Sequence, residues 1–289
     1  MKKQTPIPSN SSILITGASS GIGKTCALYL DQLGFKVYAG VRHKKDQETM
    51  IRAGSERLIP IFLDVTRDSD VQKAFELISS ESDAPLYGLV NNAGVSISGV
   101  IEATPVDEFR NIMEVNVLGL HRITKAFLPL LRQVAGRIVN IGSAASFLAG
   151  PGSSSYAATK FAVRAMTDAI RIELYPFGMH VALVAPGAVE SAMWEKSKDY
   201  RQKLRQRVPK ELKQSYEIFA RAGDKIAETV KPAPAVGVAR TVAHALMSTN
   251  PKYTYLVGQD AKRTRILSRL PTGMYTAMVF KHISELAKA

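Results

Sequence analysis

Cysteine, tryptophan and long apolar runs are scarce in this sequence. The 289 residues include one cysteine, Cys26, so an intramolecular disulfide is excluded and a reducing compartment is favoured. No run of about 18 apolar residues occurs, so no transmembrane helix is expected. Residues 1–10 contain lysines and prolines but lack the apolar segment of a signal peptide. We therefore expect a flexible N-terminus and a cytoplasmic protein.

The charge of the chain is distributed unevenly. Apolar residues make up 46% of the sequence and charged residues 22%, which is typical of an ordinary globular protein. Residues 1–195 carry 19 Lys and Arg against 18 Asp and Glu, whereas residues 196–289 carry 19 against 7. The net charge of +13 therefore belongs almost entirely to the last third. An anionic partner for that third has to be considered.

Short apolar runs alternate with helical patterns along most of the chain. A parallel sheet with helices on both faces is the fold that such alternation predicts. We predict a single α/β domain, a Rossmann-type doubly wound parallel sheet of about seven strands. The predicted strands are 12–16, 35–41, 58–63, 86–90, 136–141, 179–184 and 253–257. A long helical stretch is predicted over 105–132.

The run TGASSGIG at 16–23 lies between the first predicted strand and a helix. In that position Gly17 permits a tight turn, Gly21 lets the backbone approach a pyrophosphate, and Gly23 lets the helix pack closely on the sheet. The first helical turn offers free N–H groups to phosphates. A plain connecting turn is the alternative reading.

Arg42 follows the second predicted strand, where folds that bind NAD place an acid. No acid occurs at 38–45, and Lys44 and Lys45 follow Arg42. This cationic end favours the 2′-phosphate of NADP(H), with NAD(H) as the alternative cofactor. The alternative interpretation is a solvated charged loop that takes no part in cofactor binding.

Polar and small residues follow the next two strands. Asp64 is placed to accept from an adenine amine or to cap the following turn, and Asn92 to Gly94 would let a flat ligand pass closely. Asn116 lies in the apolar run VNVLGL, where its amide needs partners. It makes either a structural hydrogen bond or part of a polar channel.

Tyr156 lies four residues before Lys160 and follows Ser143 by 13 residues. Four residues are about one helical turn, so the Tyr and Lys side chains share a face. A nearby cation stabilises a phenolate and lowers its pKa toward the working range of a proton donor. Ser143 could hydrogen-bond the oxygen of a carbonyl or alcohol. The alternative is an ordinary helix face with a half-buried Tyr and a solvated Lys.

Together these runs resemble the short-chain dehydrogenase/reductase family in its core-length branch. They occur in family order over about residues 11–195, and the strand at 253–257 also fits. The matching positions are 16–23, Asp64, the run NNAG at 91–94, Asn116, Ser143, Tyr156, Lys160 and the Pro-Gly run from 186. So many separate matches favour the catalytic reading of Tyr156.

The resemblance implies roles for a catalytic set of four residues. Tyr156 would be the general acid in carbonyl reduction and the base in alcohol oxidation. Lys160 would lower the pKa of Tyr156 and bind the nicotinamide ribose. Ser143 would position the substrate oxygen, and Asn116 would hold a water that links Lys160 to solvent.

The resemblance also implies a cofactor site at the strand ends, and no metal site is predicted. Its residues would be Gly17, Ser19, Ser20, Gly21, Ile22, Gly23, Arg42, Asp64, Val65, Asn92, Ala93, Gly94, Tyr156, Lys160, Pro186, Gly187, Val189 and Ser191. Family members usually have Thr where this chain has Ser191. A basic residue that some NADP(H)-binding members carry before the second motif glycine is replaced by Ser20.

The last third of the chain would determine specificity. Residues 11–260 are predicted to form the catalytic domain, with 188–230 as a substrate lid. Met193, Trp194 and Tyr216 would line a pocket for a hydrophobic substrate or close the lid core on itself. Within the family, the run VYAGVR and the longer C-terminus look most similar to members acting on steroids and retinoids.

Residues 261–289 are predicted to form a C-terminal helical extension. Its apolar side either docks on its own domain or a sister subunit, or rests on an anionic membrane surface beside Arg265 and Arg269. The family resemblance implies a homodimer or homotetramer through the helices at 105–132 and 156–173.

Three functions are compatible with these observations. The first is an NADP(H)-dependent oxidoreductase for a lipophilic carbonyl or alcohol. The second is a reductase of an anionic CoA or carrier-protein thioester. The third is a non-catalytic protein that senses dinucleotides or binds nucleic acid, but no nucleic-acid module accompanies the basic residues. We therefore expect a small-molecule substrate and no nucleic acid.

Overall fold

The computed structural model describes residues 10–80, 83–190, 202–203 and 205–288. Seven strands form one parallel sheet in the order β3-β2-β1-β4-β5-β6-β7, which confirms the predicted fold class. The strands are β1 (Ser12–Ile15), β2 (Lys36–Val41), β3 (Leu58–Phe62), β4 (Leu86–Asn91), β5 (Arg137–Ile141), β6 (His180–Pro186) and β7 (Thr254–Val257). The predicted strands match these within two residues at each end.

Ten α-helices connect or flank the strands in the described part of the chain. They are α1 (Gly21–Gln32), α2 (Lys44–Ala53), α3 (Asp68–Ser79), α4 (Val106–Met113), α5 (Gly119–Gln133), α6 (Ser154–Leu174), α7 (Lys213–Thr229), α8 (Val236–Met247), α9 (Gln259–Leu267) and α10 (Thr272–Lys288). No helix within the described ranges is long and apolar enough to cross a membrane.

Two apolar cores cover the two faces of the sheet. Successive side chains of a strand point to opposite faces, so Ile13 and Ile15 enter one core and Leu14 the other. The first core includes Leu30 of α1 and helix α8, and the second includes Phe127 of α5. Because helices cover both faces, the polar residues of the strand ends collect at one edge of the sheet.

The helical stretch predicted over 105–132 is not one regular helix. A π-helical turn at Glu114–Leu118 separates α4 from α5. After this turn, Gly119 packs so closely on Val65 that a Cβ would lie 2.6 Å from Val65 Cγ2. A π-turn widens the helix by one residue and often marks a functional position. Here that position is Asn116.

The C-terminal helices pack on one another and on the sheet domain. Helix α10 contacts α7, and its Ile283 is buried. The Tyr275 hydroxyl donates to the Ala149 carbonyl at 2.9 Å. These contacts dock α10 on its own domain and leave its exposed face for the sister subunit or membrane surface considered from the sequence.

Candidate active site

A cavity of about 360 Å³ opens at the carboxyl edge of β1 to β4. Eleven of the predicted cofactor residues line it together. They are Gly17, Ser19, Ser20, Gly21, Ile22, Arg42, Asp64, Val65, Asn92, Ala93 and Gly94. The strand ends that were separate in sequence therefore form one continuous site.

The glycine-rich turn has the backbone that only glycine adopts readily. Gly17 has φ of 66° and Gly21 has φ of 53°, both in the left-handed region. A Cβ on Gly23 would lie 2.3 Å from the Gly17 carbonyl oxygen, so α1 packs against the turn. The close backbone approach that these glycines allow fits the pyrophosphate of a nicotinamide dinucleotide.

Thr16 joins the glycine-rich turn to the end of β4. Its hydroxyl accepts hydrogen bonds from the N–H groups of Asn92 and Ala93, each at 3.0 Å. The Asn92 amide returns two hydrogen bonds, to the carbonyls of Thr16 and Gly17 at 2.9 and 3.0 Å. This link fixes the floor of the cavity. The residues predicted for this turn begin at Gly17, and no pattern in the sequence marks Thr16 as their support.

Arg42 and Asp64 face each other at the adenosine end of the cavity. Burial would raise the pKa of the Asp64 carboxyl, but hydrogen bonds from Thr66 and the nearby Arg42 charge lower it. Asp64 Oδ1 accepts from the Thr66 N–H at 3.0 Å and from its hydroxyl at 2.7 Å. Asp64 is therefore ionised and oriented, and the exposed Arg42 is left available to an anionic group.

Arg122 supports the same end of the cavity from helix α5. Its guanidinium donates to the Val65 carbonyl at 2.7 Å, to Asp68 at 2.6 Å and to Glu114 at 2.9 Å. Arg122 thus connects the loop after β3 with the π-helical turn. Its position in the sequence carries no motif, so spacing alone did not identify it.

Ser143 and Tyr156 meet beside this cavity. Ser143 leaves the end of β5, where its hydroxyl accepts from the Ala145 N–H at 3.1 Å and caps a short 3-10 helix. Tyr156 lies in the first turn of α6 and hydrogen-bonds the Ser143 side chain. The loop at 150–153 lets the chain turn back to make this contact.

Lys160 lies one turn after Tyr156 on α6 and is buried. Its ammonium is 5.7 Å from the centre of the Tyr156 ring and donates to the Ile141 carbonyl at 2.9 Å. Burial lowers the pKa of Lys160 to about 8. A buried ammonium fixed by the end of β5 differs from the solvated Lys of an ordinary helix face.

The pKa of the Tyr156 phenol is raised, whereas the sequence predicted that Lys160 would lower it. Burial raises it, and the hydrogen bond with Ser143 opposes that rise only in part. Lys160 directs its ammonium to a carbonyl oxygen rather than to the phenol. In this state Tyr156 is therefore a neutral phenol that holds its proton.

The Asn116 amide is satisfied by neighbouring backbone and side-chain groups. Its Oδ1 accepts from the Val95 N–H at 2.8 Å, and its Nδ2 donates to the Val95 carbonyl at 2.9 Å and to Thr159 Oγ1 at 3.0 Å. Thr159 immediately precedes Lys160. The amide thus has the structural hydrogen bonds considered from the sequence, while water binding by Asn116 stays a prediction.

The Pro-Gly run ends strand β6 at Pro186 and continues into a short loop. Val189 is buried and forms a parallel bridge with Ala233. Gly187 and Val189 are placed at the same sheet edge as Ser143. Ser191, Met193 and Trp194 lie outside the described residues.

A dinucleotide cavity and a Ser–Tyr–Lys set thus adjoin at one edge of a parallel sheet. The cavity has the shape and glycine-rich lining that a dinucleotide requires, and a phenol with a buried cation is the kind of pair that can exchange a proton. This combination defines an oxidoreductase of the Rossmann type.

The chain belongs to the short chain dehydrogenase family, whose model matches residues 11–202. Its relatives include mitochondrial D-beta-hydroxybutyrate dehydrogenase from Rattus norvegicus, 40% identical over 191 residues. That match covers 64% of this chain and 56% of the rat protein, so it spans little more than half of the relative's length. Human retinol dehydrogenase 5 is 33% identical over 289 residues, covering 96% of this chain and 90% of that protein.

A solved structure with the same fold is a short chain dehydrogenase from Burkholderia cenocepacia in complex with NADP. It is 25% identical, with a TM-score of 0.73, and the match covers 93% of this chain and 97% of that one. The family and its steroid- and retinol-type resemblance are thereby confirmed.

Proposed function

We infer that this protein is an NADP(H)-dependent oxidoreductase that interconverts a lipophilic carbonyl compound and its alcohol. One observation carries the proposal: the Tyr156 phenol is hydrogen-bonded to Ser143 and lies one turn from the buried Lys160, beside a dinucleotide cavity. Family membership supports an oxidoreductase over the non-catalytic alternative.

A nicotinamide dinucleotide held in this cavity would supply or accept the hydride. The residues of the chain handle the proton and the geometry. Ser143 positions the oxygen of the substrate, and Tyr156 donates its proton to that oxygen as a carbonyl is reduced. In the reverse direction the phenolate form of Tyr156 accepts the proton of the alcohol.

Lys160 assists by holding positive charge close to Tyr156 as the phenol gives up its proton. Its folded-state pKa of about 8 leaves it mostly protonated at neutral pH. Asn116 is proposed to hold a water that returns a proton to this site. The hydrogen bond from Asn116 to Thr159 supports the proposal, since it ties the π-helical turn to the residue before Lys160.

Arg42 is the basis for preferring NADP(H) over NAD(H). Its guanidinium is exposed at the adenosine end of the cavity, where a 2′-phosphate would have a charged partner. The NADP in the related Burkholderia structure is compatible with this choice.

A second cavity, of about 530 Å³, supports a lipophilic substrate. It lies between the loops at 98–103 and 151–153 and helix α7. Its lining includes Ser153, which precedes Tyr156 by three residues. Apolar and aromatic groups contribute much of its wall, namely Val100, Ala103, Pro151, Val208, Tyr216, Phe219 and Ala220. Tyr216 therefore lines a cavity, as one of the two sequence readings predicted.

The charged residues of this second cavity balance in sign. Arg205 and Asp224 form a 2.7 Å ion pair, and the described wall also contains Lys213 and Glu217, whose carboxylate pairs with Arg221 at 3.0 Å. Among the described residues of the wall, this balance of charge favours a neutral substrate over a CoA or carrier-protein thioester. The name of human retinol dehydrogenase 5 agrees with a lipophilic alcohol.

A titration of the purified protein with NADPH and NADH, followed by fluorescence, tests the cofactor assignment. Turnover of retinal-like and steroid-like carbonyls at low and high salt then tests the substrate class. A neutral substrate should give the same catalytic efficiency at both salt concentrations, and a steep loss at high salt would favour the anionic thioester instead.

We further propose a homodimer or homotetramer formed through α4, α5 and α6. Phe109, Leu118 and Phe161 are exposed apolar residues of this helical region, which supports burial against a second copy. A monomeric mass in solution, measured by light scattering, would contradict this assembly.

A cytoplasmic location with peripheral membrane contact through α10 is the proposal for this protein in the cell. Met274, Met278 and Phe280 are exposed on α10, and Lys281 lies beside them. Flotation with anionic vesicles tests the contact, and a protein that stays with the soluble fraction would contradict it.

A further inference from the structure

The carboxylate of Asp260 binds the loop that leaves strand β6. Its Oδ2 accepts a hydrogen bond from the Ala188 N–H at 2.6 Å, and its Oδ1 accepts from the Ala261 N–H at 2.9 Å. Asp260 lies in the first turn of α9, where the free N–H groups of a helix stabilise a negative charge. One side chain therefore joins α9 to the Pro-Gly loop.

The loop needs this acceptor because strand β7 ends next to it. The Gly187 N–H still donates to the strand, to the Val257 carbonyl at 2.9 Å. At Gly258, a φ of 100° turns the chain out of the strand and into α9. The next N–H of the loop, that of Ala188, has passed the end of the ladder, and the Asp260 carboxylate replaces the missing strand carbonyl.

Two glycines enclose the Asp260 carboxylate. A Cβ on Gly187 would lie 1.9 to 2.1 Å from its carboxyl atoms, and a Cβ on Gly258 would lie 2.5 Å from Oδ1. Gly187 is not in the left-handed region, so contact with Asp260 rather than backbone conformation excludes a side chain there. The packing shows that loop and carboxylate fit each other closely.

Backbone groups hold the other side of the same loop. The Ala233 N–H donates to the Ala188 carbonyl, and the Glu190 N–H donates to the Ala233 carbonyl, each at 3.0 Å. The side chain of Asp260 therefore holds one side of the loop, and main-chain hydrogen bonds hold the other. A substitution at position 260 removes the side-chain contact and leaves the main-chain contacts in place.

We propose that Asp260 is a positioning residue for the nicotinamide end of the cofactor. The inference rests on the proposed function and on the family resemblance, which implies that Pro186, Gly187 and Val189 bind the cofactor, with Val189 at the nicotinamide carboxamide. Asp260 sets the shape of that loop through Ala188. The adenosine end is bound separately by Arg42 and the strand ends of β1 to β4, so it does not depend on Asp260.

Binding of two ligands to Asp260→Ala tests this separation. NADP⁺ contains the nicotinamide, whereas 2′-phospho-ADP-ribose keeps the phosphates and adenosine but lacks it. We expect Asp260→Ala to weaken NADP⁺ by about tenfold or more, since a charged hydrogen-bond acceptor is lost. Binding of 2′-phospho-ADP-ribose should change by less than about twofold.

Glu285→Ala is the matched control, because it removes the same charge from the exposed surface of α10. It should leave both dissociation constants unchanged. Asp260→Asn retains one carbonyl acceptor and should weaken NADP⁺ less than Asp260→Ala does. If the alanine variant does not fold, Asp260→Asn is compared with the wild type for the same selective loss.

A double-mutant cycle with Gly187→Ala tests the contact itself. Alone, Gly187→Ala should weaken NADP⁺ because its Cβ would displace the carboxylate. In the Asp260→Ala background the same change should cost little, since the obstructing atoms are gone. Additive effects of the two substitutions would overturn the proposed contact.

Equal weakening of both ligands by Asp260→Ala would overturn the inference, since the residue would then act on the whole fold. Unchanged NADP⁺ binding would overturn it as well. If the wild type binds neither ligand, the proposed function fails and this inference fails with it. The three failures are distinguished by the wild-type titration and by the ratio of the two dissociation constants.

Discussion

The sheet at β1, β4, β5 and β6 and the helices α7 and α10 differ in how much surface they bury. Every residue of those four strands is buried. In contrast, Ala222 is the buried residue of α7, and Ile283 is that of α10. A buried strand fixes the residue at its end through the backbone, whereas a helix docked by a few contacts presents a surface that can vary without unfolding the sheet.

Under the proposed function, the difference between the two regions separates chemistry from substrate selectivity. Ser143 and the glycine-rich turn follow buried strands, so the core holds their positions. The second cavity, called the lid cavity from here on, is lined in part by α7. Exposed and half-buried side chains of this helix form its wall. Substitutions in the first region should therefore abolish turnover or cofactor binding, and those in the second should change substrate affinity.

The largest effect is expected for Tyr156→Phe. The ring remains and the proton donor is lost, so kcat should fall by about 10²- to 10⁴-fold while dinucleotide affinity stays near that of the wild type. Steady-state kinetics and a cofactor titration measure the two quantities. Tyr175→Phe, at an exposed tyrosine just after α6, is the control. Near-normal turnover in Tyr156→Phe would refute the mechanism.

A smaller effect, selective for one cofactor, is expected for Arg42→Ala. Loss of a guanidinium facing a phosphate should weaken NADPH by about 10- to 100-fold and leave NADH nearly unchanged. Fluorescence titration with each cofactor provides the ratio. Arg52→Ala, in the last turn of α2, controls for the loss of charge. Equal losses for NADPH and NADH would show that Arg42 is not the phosphate partner.

Phe219→Ala should affect substrate binding alone. Phe219 contributes apolar surface to the lid cavity, so KM for a lipophilic carbonyl should rise by about three- to tenfold with kcat unchanged. Phe280→Ala removes a similar ring from the exposed surface of α10 and serves as the control. A fall in kcat as large as that of Tyr156→Phe would break the distinction between the two regions.

The smallest effect concerns acid stability at the opposite edge of the sheet. Burial, aided by Arg137 and Arg171 and opposed by a hydrogen bond to Lys252, lowers the pKa of His180 to about 4. Below its ordinary pKa of about 6.5, His180 is protonated in the unfolded chain but stays neutral in the folded protein. The contribution of neutral His180 to the free energy of unfolding is therefore present above pH 6.5 and is lost as the pH falls toward 4.

His180→Gln removes this titration and should reduce the loss of Tm between pH 7 and pH 5 by a few degrees. The exposed His282→Gln is the control. An unchanged pH dependence in His180→Gln would show that other groups account for the acid sensitivity.

The sequence predicted the sheet and its polar edge well because each relevant residue follows a buried strand. Glycines such as Gly17 and strand-end residues such as Asp64 carry local signals that survive without knowledge of the fold. Arg122 and Asp260 lack such signals, since their partners at 65 and 188 are far away in sequence. The π-helical turn around Asn116 was also missed, because it depends on close packing of Gly119 on Val65.

The pKa of Tyr156 is a second property that the spacing of residues does not predict. A Lys one turn away indicates proximity, but it does not indicate where the ammonium points. In the structure the Ile141 carbonyl takes that ammonium, and burial dominates the phenol. Charge effects depend on orientation and solvation, which a spacing of four residues does not specify.

The strand order also governs when the site can assemble as the chain is synthesised. Strands β1 to β4 are complete by residue 91, so the glycine-rich turn has its neighbours in the first third of the chain. The Pro-Gly loop has to wait for β7 and for Asp260, which follows Ala188 by 72 residues. A nascent chain released before that point has the beginnings of a nucleotide site but lacks the contacts that shape its reactive end.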